Sequence, residues 1–373
     1  MKNKICVYAI CKNEVSFIDK WLTSMSEADY IVVLDTGSTD GTFEALKADS
    51  RVTVVEQKVI SPWRFDNARN ESLKLVPNDA NILVCTDLDE QFEPGWADIL
   101  RKNWNAKKHS RCGFQFVWSH LGSGQPGRIF TYYKIHNKLW KWKYPVHEML
   151  WNIETETTDF TAEETLDLFN EIILQHYPDD SKSRGNYLNL LELREKECPQ
   201  DYWSVLYLAH EYYYHKQFNN SIKKLNKILT NFDDKIDTIE RANCYLFLGD
   251  NYVALDKPDI AIVSYKNSII ADSTYREPYI KLAELYINQE QYADAIDTIK
   301  QGFKNSIRHY SWLEQDDTWA YKPYDLLCLA YYYSGDKLKS LGCAYKAWQF
   351  DPENERLQYN LKQVIDNLNE TDY

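Results

Sequence analysis

The chain has 373 residues, 44% apolar and 27% charged, with a net charge of −13 spread over both halves; that length predicts two or three domains, each able to bury a core. Gly (12) and Pro (11) are scarce while Tyr (28) and Trp (12) are abundant, a composition that argues against collagen-like, low-complexity and disordered chains. The acidic balance disfavours broad phosphate-backbone binding, so no nucleic-acid partner is expected.

The first apolar run, Ile5–Cys11, is too short for a signal core with flanks or for a membrane span of about 20 residues. It reads as a strand. Tyr30–Asp35, Val52–Glu56 and Asn81–Thr86 follow as further β-branched runs, alternating with helical patterns over Phe17–Met25, Thr42–Lys47 and Asn67–Val76. This βαβ rhythm predicts a mostly parallel sheet with helices on its faces and ligands beyond the carboxyl ends of the strands. Gly113–Trp118 and Arg128–His136 are two aromatic-rich extended runs joined by a Gly- and Pro-containing loop, Leu121–Gly127, which is expected to be mobile. An acidic stretch from Glu154 to Asp167, a run Glu171–His176 and the polar Pro178–Ser183 close the first part. The expected boundaries are 1–180 for the sheet domain, 181–198 for a linker helix and 199–373 for a helical domain.

In that last part Leu208-Ala209 with Tyr212, Leu248-Gly249 with Tyr252, Leu282-Ala283 with Tyr286 and Leu327-Cys328 with Tyr331 superpose as four copies. One step between the leucines is the 34 residues of a tetratricopeptide unit and the other two carry insertions. Ser221, Ala261, Ala295 and Ser340 occupy the small position thirteen after each leucine, where paired helices touch. Gly335 and Pro352 stand at turns of the last copy. The second half closely resembles a tetratricopeptide array. The eight cysteines are scattered without a CxxC pair and read as reduced core thiols of a cytoplasmic protein.

Three strings carry the chemistry. Asp35-Thr36-Gly37-Ser38-Thr39-Asp40-Gly41-Thr42 delivers a strand-end carboxylate into a Gly turn, where Asp35 can accept hydrogen bonds from a base or ribose and Asp40 or Thr39 can cap the next helix. Asp87-Leu88-Asp89-Glu90 sets two carboxylates on one face of an extended strand end, a pair suited to Mg²⁺ or Mn²⁺ with a diphosphate. Lys134, Lys138, Trp140, Lys141, Trp142, Lys143 and Tyr144 form a basic, aromatic run that can stabilise a departing diphosphate or contact an anionic acceptor, the alternative being a twisted hairpin with Trp packed inward and Lys outward.

With Ala9-Ile10-Cys11-Lys12-Asn13-Glu14 and Phe65-Asp66-Asn67-Ala68-Arg69-Asn70, these strings resemble family 2 glycosyltransferases of the GT-A fold over roughly residues 4–180. The dinucleotide turn GxGxxG and the phosphate loop GxxxxGK are absent. Val146-His147-Glu148 and the helical repeats are similar to a subgroup that includes the bacteriocin S-glycosyltransferases of the sublancin type. The resemblance implies that Ala9, Asn13, Glu14 and Asp35 line the nucleotide, that Arg69 lies near the base or diphosphate, and that Asp87 and Asp89 hold ribose and metal. His147 is the nominated further metal contact, because a neutral imidazole can complete a carboxylate site; His176 competes with it. The Glu-Asp base string of many family members is missing. Glu148, ahead of Glu90, is therefore the candidate base for an alcohol acceptor, while a thiol would demand less of it. The implied activity is metal-dependent inverting transfer from a nucleotide sugar, UDP-linked in the first instance, to a Ser, Thr or Cys side chain of a peptide or protein held by the repeats. The alternatives are a cell-surface glycan or lipid-linked acceptor, and a non-enzymatic scaffold. The exposed helical faces of the array also suit a homodimer.

Overall fold

A computed structural model describes residues 3–121, 124, 126–179 and 187–369. Gly122, Ser123 and Gln125 of the expected mobile loop and residues 180–186 at the expected junction lie outside the described residues. The chain divides into two compact units, one of Met1–Trp118 with Ile129–Arg194 and one of Ser119–Arg128 with Glu195–Tyr373.

The first unit runs β1 (Ile5–Cys11), α1 (Ile18–Met25), β2 (Tyr30–Asp35), α2 (Thr42–Ala48), β3 (Val54–Gln57), α3 (Phe65–Ser72), β4 (Ile82–Thr86), β5 (Glu90–Phe92) and α4 (Trp96–Asn103). It continues with β6 (Arg111–Val117), β7 (Ile129–His136), β8 (Trp140–Lys143), β9 (Met149–Asn152), β10 (Thr165–His176) and α5 (Tyr187–Glu197), which crosses the unit boundary. Eight strands form one sheet in the order β3-β2-β1-β4-β7-β6-β10-β5, and β8 pairs with β9 separately. The β3-β2-β1-β4 part is parallel throughout. Strand alternation divides the core: Ile5, Val7, Ala9 and Cys11 pack with Trp21 and Leu22 of α1 and Trp96 of α4, while Cys6 and Tyr8 face Trp140 and Trp142 of β8. Both faces are covered, so β1 is apolar along its whole length. The chain steps from β1 outward to β3 and then returns to place β4 on the other side of β1. The crevice beyond the carboxyl ends of β1 and β4 is thus a topological switch point.

The second unit is helical over its α-helices α6 (Tyr202–Tyr214), α7 (Phe218–Asn231), α8 (Thr238–Ala254), α9 (Pro258–Ala271), α10 (Glu277–Asn288), α11 (Tyr292–Asn305), α12 (Lys322–Tyr333), α13 (Lys337–Phe350) and α14 (Glu355–Asn369). Ser221, Ala261, Ala295 and Ser340 are fully buried, as small residues between paired helices must be. A Cβ on Gly249 would collide with the Tyr265 ring, so α8 and α9 approach closely there. Lys216, Asp256, Glu290 and Gly335 adopt positive φ at 58°, 56°, 61° and 89°. They recur with the spacing of the four leucines, each ending the first helix of a pair in a left-handed turn. No described helix is long and apolar enough to cross a membrane. All eight cysteines are free thiols.

Candidate functional site

At the end of β2, Asp35 is fully buried and braces the turn that follows. Its Oδ1 accepts from the Gly37 and Ser38 amides and from Gln57 Nε2 at the end of β3, each at 2.9 Å. Burial pushes this carboxyl up, but the donors from Ser38, Gln57 and Gly37 outweigh it and hold the group below its ordinary range. Asn13 locks the β1 edge to the same turn: its amide donates to Ser38 Oγ and its Oδ1 accepts from the Thr39 amide, both at 2.8 Å. The Glu14 amide donates to Thr42 Oγ1 at 2.8 Å, and Asp40 receives the Thr42 amide at 3.0 Å. The expected nucleotide residues Asn13, Glu14 and Asp35 therefore meet at one edge. Ala9 does not reach it. It is fully buried in mid-strand, so its expected place lining the nucleotide is corrected to that of a core residue beneath the edge.

Beyond β4 the chain turns instead of continuing extended. The Glu90 amide donates to the Asp87 carbonyl at 3.1 Å, and the Asp87 amide donates to Glu90 Oε2 at 2.9 Å. Leu88, fully buried, anchors the turn. Asp87 and Asp89 consequently meet different partners, which corrects the expectation from strand alternation. Asp87 accepts from Arg69 Nη2 at 3.0 Å and from Lys134 Nζ at 2.9 Å. Lys134 also reaches Glu90 Oε1 at 2.6 Å. Arg69 Nε pairs closely with Glu148 and its Nη1 donates to Cys85 Sγ at 3.1 Å. Two cations thus join two carboxylates of one turn, Asp87 and Glu90, to a third, Glu148, distant in sequence. Asp87, whose side chain is 33% exposed, is the member of this network most open to a ligand.

Burial acts to raise the Asp87 carboxyl, yet Arg69 and Lys134 outweigh it and hold the group well below the ordinary carboxylate range. Glu90 goes the other way: burial pushes it up to about 7, with Lys134 opposing and Asp87 and Asp89 adding to the rise. Glu90 is 2% exposed with both oxygens engaged, so its geometry suits holding Lys134 and the turn. Its expected service as a base is corrected accordingly.

Asp89 faces His176, at the end of β10, with Oδ2 to Nε2 at 3.5 Å. His176 Nδ1 lies 2.9 Å from the Trp118 carbonyl, an acceptor only, so Nδ1 carries a proton. Protonated at both nitrogens the ring donates towards Asp89; with Nε2 deprotonated, Asp89 and His176 would offer a cation two ligands. Burial lowers the His176 pKa, but the Asp89 hydrogen bond and the Trp118 carbonyl outweigh it and raise it overall. Among the described residues no group of three or more His, Cys, Asp or Glu is arranged to hold a metal ion. The Asp89–His176 pair fits Mn²⁺ or Mg²⁺ as two protein ligands, the remainder being diphosphate and water, as is usual for ions of this class. His147 is exposed, with its ring edge-on to Tyr187 at 6.0 Å. The imidazole set against Asp89 is that of His176, the competing candidate.

The basic, aromatic run disperses. Lys134 enters the network, Trp140 and Trp142 are buried, Lys138 donates to the Asn78 carbonyl and Lys143 lies over the Trp151 ring. Gln57, Cys85 and Arg194 were not singled out by sequence reasoning. Only Gln57 had a signal, its place at the end of an apolar run.

The carboxyl-end edge of β1, β2 and β4 thus carries a braced strand-end aspartate, an acidic turn and two buried cations. Residues 6–154 match the family model described as Glycosyl transferase family 2, and that match supports a glycosyltransferase carrying a domain of this family. No curated protein matches the chain. Among solved structures the chain is similar to TTC0263, a thermophilic TPR protein in Thermus thermophilus, at 17% identity over 48% of this chain and 88% of that one, with a TM-score of 0.37. It is also similar to MamA, at 20% identity over 48% and 97% with a TM-score of 0.36. A third likeness is to the C-terminal part of a TPR repeat-containing protein from Cytophaga hutchinsonii, at 15% identity over 48% and 63% with a TM-score of 0.38.

Proposed function

We propose that the protein is a metal-dependent inverting glycosyltransferase that moves a sugar from a nucleoside diphosphate to a Ser, Thr or Cys side chain of a peptide or protein. The observation that carries this reading is the joined set Glu148–Arg69–Asp87–Lys134–Glu90 beside Asp89–His176, at the edge where Asp35 and Asn13 brace a nucleotide turn. Asn13, Glu14 and Asp35 form the nucleoside side of the pocket. Asp87 accepts a ribose hydroxyl. Arg69 and Lys134 keep Asp87 ionised and lend positive potential to the departing diphosphate. Asp89 and His176 would hold Mn²⁺ or Mg²⁺, which when bound supplies charge neutralisation of the leaving diphosphate. Glu148 takes the proton of the acceptor hydroxyl as its oxygen attacks the anomeric carbon from the face opposite the leaving group. A thiol acceptor needs less of Glu148, because a fraction is already thiolate at mildly basic pH.

The helical unit is the candidate for holding the acceptor. It contains a cleft of about 610 Å³ lined by Tyr213, Phe247, Trp312, Asn243, Asp250 and Lys281, apolar rings with a polar floor of the kind that takes an extended peptide. The test is incubation with UDP-, GDP-, CMP- and dTDP-sugars and Mn²⁺ in the presence of Ser-, Thr- and Cys-containing peptides or of glycans. Mass spectrometry then reads the acceptor. A hexose on a peptide, with the anomeric configuration inverted, is the expected result; sugar added to glycans alone, or no transfer from any donor, contradicts the peptide reading.

A further inference from the structure

The strand pair β8–β9 closes with Lys143 opposite Met149, leaving the five residues Tyr144–Glu148 as its turn. That turn contains no glycine, yet Tyr144 and His147 have φ of 86° and 48°, a left-handed backbone that is uncommon for side-chain-bearing residues and costly for one as bulky as Tyr144. Two elements hold it. The Phe65 amide at the start of α3 donates to the Pro145 carbonyl at 3.0 Å. On the other side stands Arg194 of α5, with no exposed surface. Its Nη1 donates to the His147 carbonyl at 2.7 Å and to the Val146 carbonyl at 3.3 Å, and its guanidinium lies 4.0 Å from the Tyr144 ring centroid. The residue that follows these two carbonyls is Glu148, whose carboxylate closes on Arg69.

We propose that Arg194 is a positioning residue for the transferase site: it fixes the strained 144–148 turn so that Glu148 is presented to Arg69 and to the acceptor. The inference rests on the glycosyltransferase reading for its functional consequence and on the turn geometry alone for its structural one. Nη1 alone meets both carbonyls, while Nη2 lies 3.7 Å from Met149 Sδ and the flat guanidinium faces the Tyr144 ring; a lysine ammonium can reach the carbonyls but supplies neither the second nitrogen nor the planar face that together hold the turn. Arg194 itself touches neither donor nor acceptor in this account. Its loss therefore acts first on Glu148 and the proton-accepting end of the site and leaves the nucleoside turn, where Asp35 and Asn13 are held by other elements.

The test compares wild type with Arg194→Lys, and with Arg194→Ala in the presence and absence of added guanidinium at concentrations below those that unfold the protein. Hydrogen exchange of the amides of 144–150 is read first. Arg194→Lys should speed exchange there at least tenfold while α1, α4 and β1 keep their protection. With the sugar nucleotide that turns over fastest, kcat should fall at least tenfold while the dissociation constant for the nucleoside diphosphate changes less than twofold, and guanidinium should restore part of the Arg194→Ala rate. Unchanged exchange in the turn overturns the proposal. So does an unchanged kcat, or a parallel loss of nucleotide binding and of protection throughout the unit. A wild type that turns over no sugar nucleotide would instead defeat the transferase reading, and the exchange measurement would still decide whether Arg194 fixes the turn.

Discussion

Arg69 illustrates how the residues of this site constrain one another. It is 5% exposed, and its guanidinium answers Asp87, Glu148 and the Cys85 thiol together. Removing it as Arg69→Met should leave two carboxylates facing each other without their shared cation and lower unfolding stability by about 3–5 kcal/mol, which a urea titration would read. Glu277 in the helical unit offers a pH test away from the site. It is fully buried, with Oε1 accepting from the Gln315 amide and Thr318 Oγ1, and burial pushes its carboxyl up to about 7. The folded protein thus keeps a proton that the unfolded chain gives up above its ordinary value near 4.5. The stabilising contribution is full below that value and is lost as pH rises towards 7. Glu277→Gln, permanently neutral, should flatten this decline. Thermal midpoints between pH 5 and 8 would reveal it, and parallel profiles for the two proteins would refute it.

At the level of elements, the four left-handed turn positions of the helical unit make a matched set. Gly335 fills one of them without strain, whereas Lys216, Asp256 and Glu290 adopt the same conformation with side chains attached. Gly335→Ala should cost about 1–2 kcal/mol, and Glu290→Gly should raise stability by up to about 1 kcal/mol; calorimetric midpoints moving the opposite way would count against this assignment of strain. The helix pairs were legible in the sequence because leucine, small residue and tyrosine recur at fixed offsets. β1, β2 and β4 were legible because strands covered on both faces are apolar throughout. β5, β9 and α4 went unread: β5 and β9 are three and four residues long, too short for periodicity to register, whereas β8 follows the hairpin alternative, Trp140 and Trp142 inward. The site was half legible. Asp35, Asp87 and Asp89 sit at strand ends that the pattern marks, and Arg69 and Lys134 were named. What a sequence does not carry is which distant groups meet: that Glu90 turns inward to Lys134, that Asp89 faces His176 instead of His147, and that Ala9 stops two residues short of the edge.

For the whole molecule, the proposed function gives donor chemistry to the sheet unit and acceptor holding to the helical unit. The division can be probed without truncation. Trp312→Ala in the helical cleft should raise KM for a peptide acceptor by roughly tenfold, the scale of losing one buried aromatic anchor, while leaving hydrolysis of the sugar nucleotide in the absence of acceptor unchanged. An unchanged acceptor KM would mean that the cleft takes no part. The central claim, however, is that the edge formed by β1, β2 and β4 is a metal-assisted nucleoside diphosphate site, and calorimetric titration of UDP with and without Mn²⁺, into wild type and Asp89→Asn, addresses it most directly. Wild type should bind UDP more tightly with Mn²⁺, and Asp89→Asn should lose that strengthening; equal binding by both proteins with and without the ion, or none by wild type to UDP, GDP, CMP or dTDP, would contradict the claim.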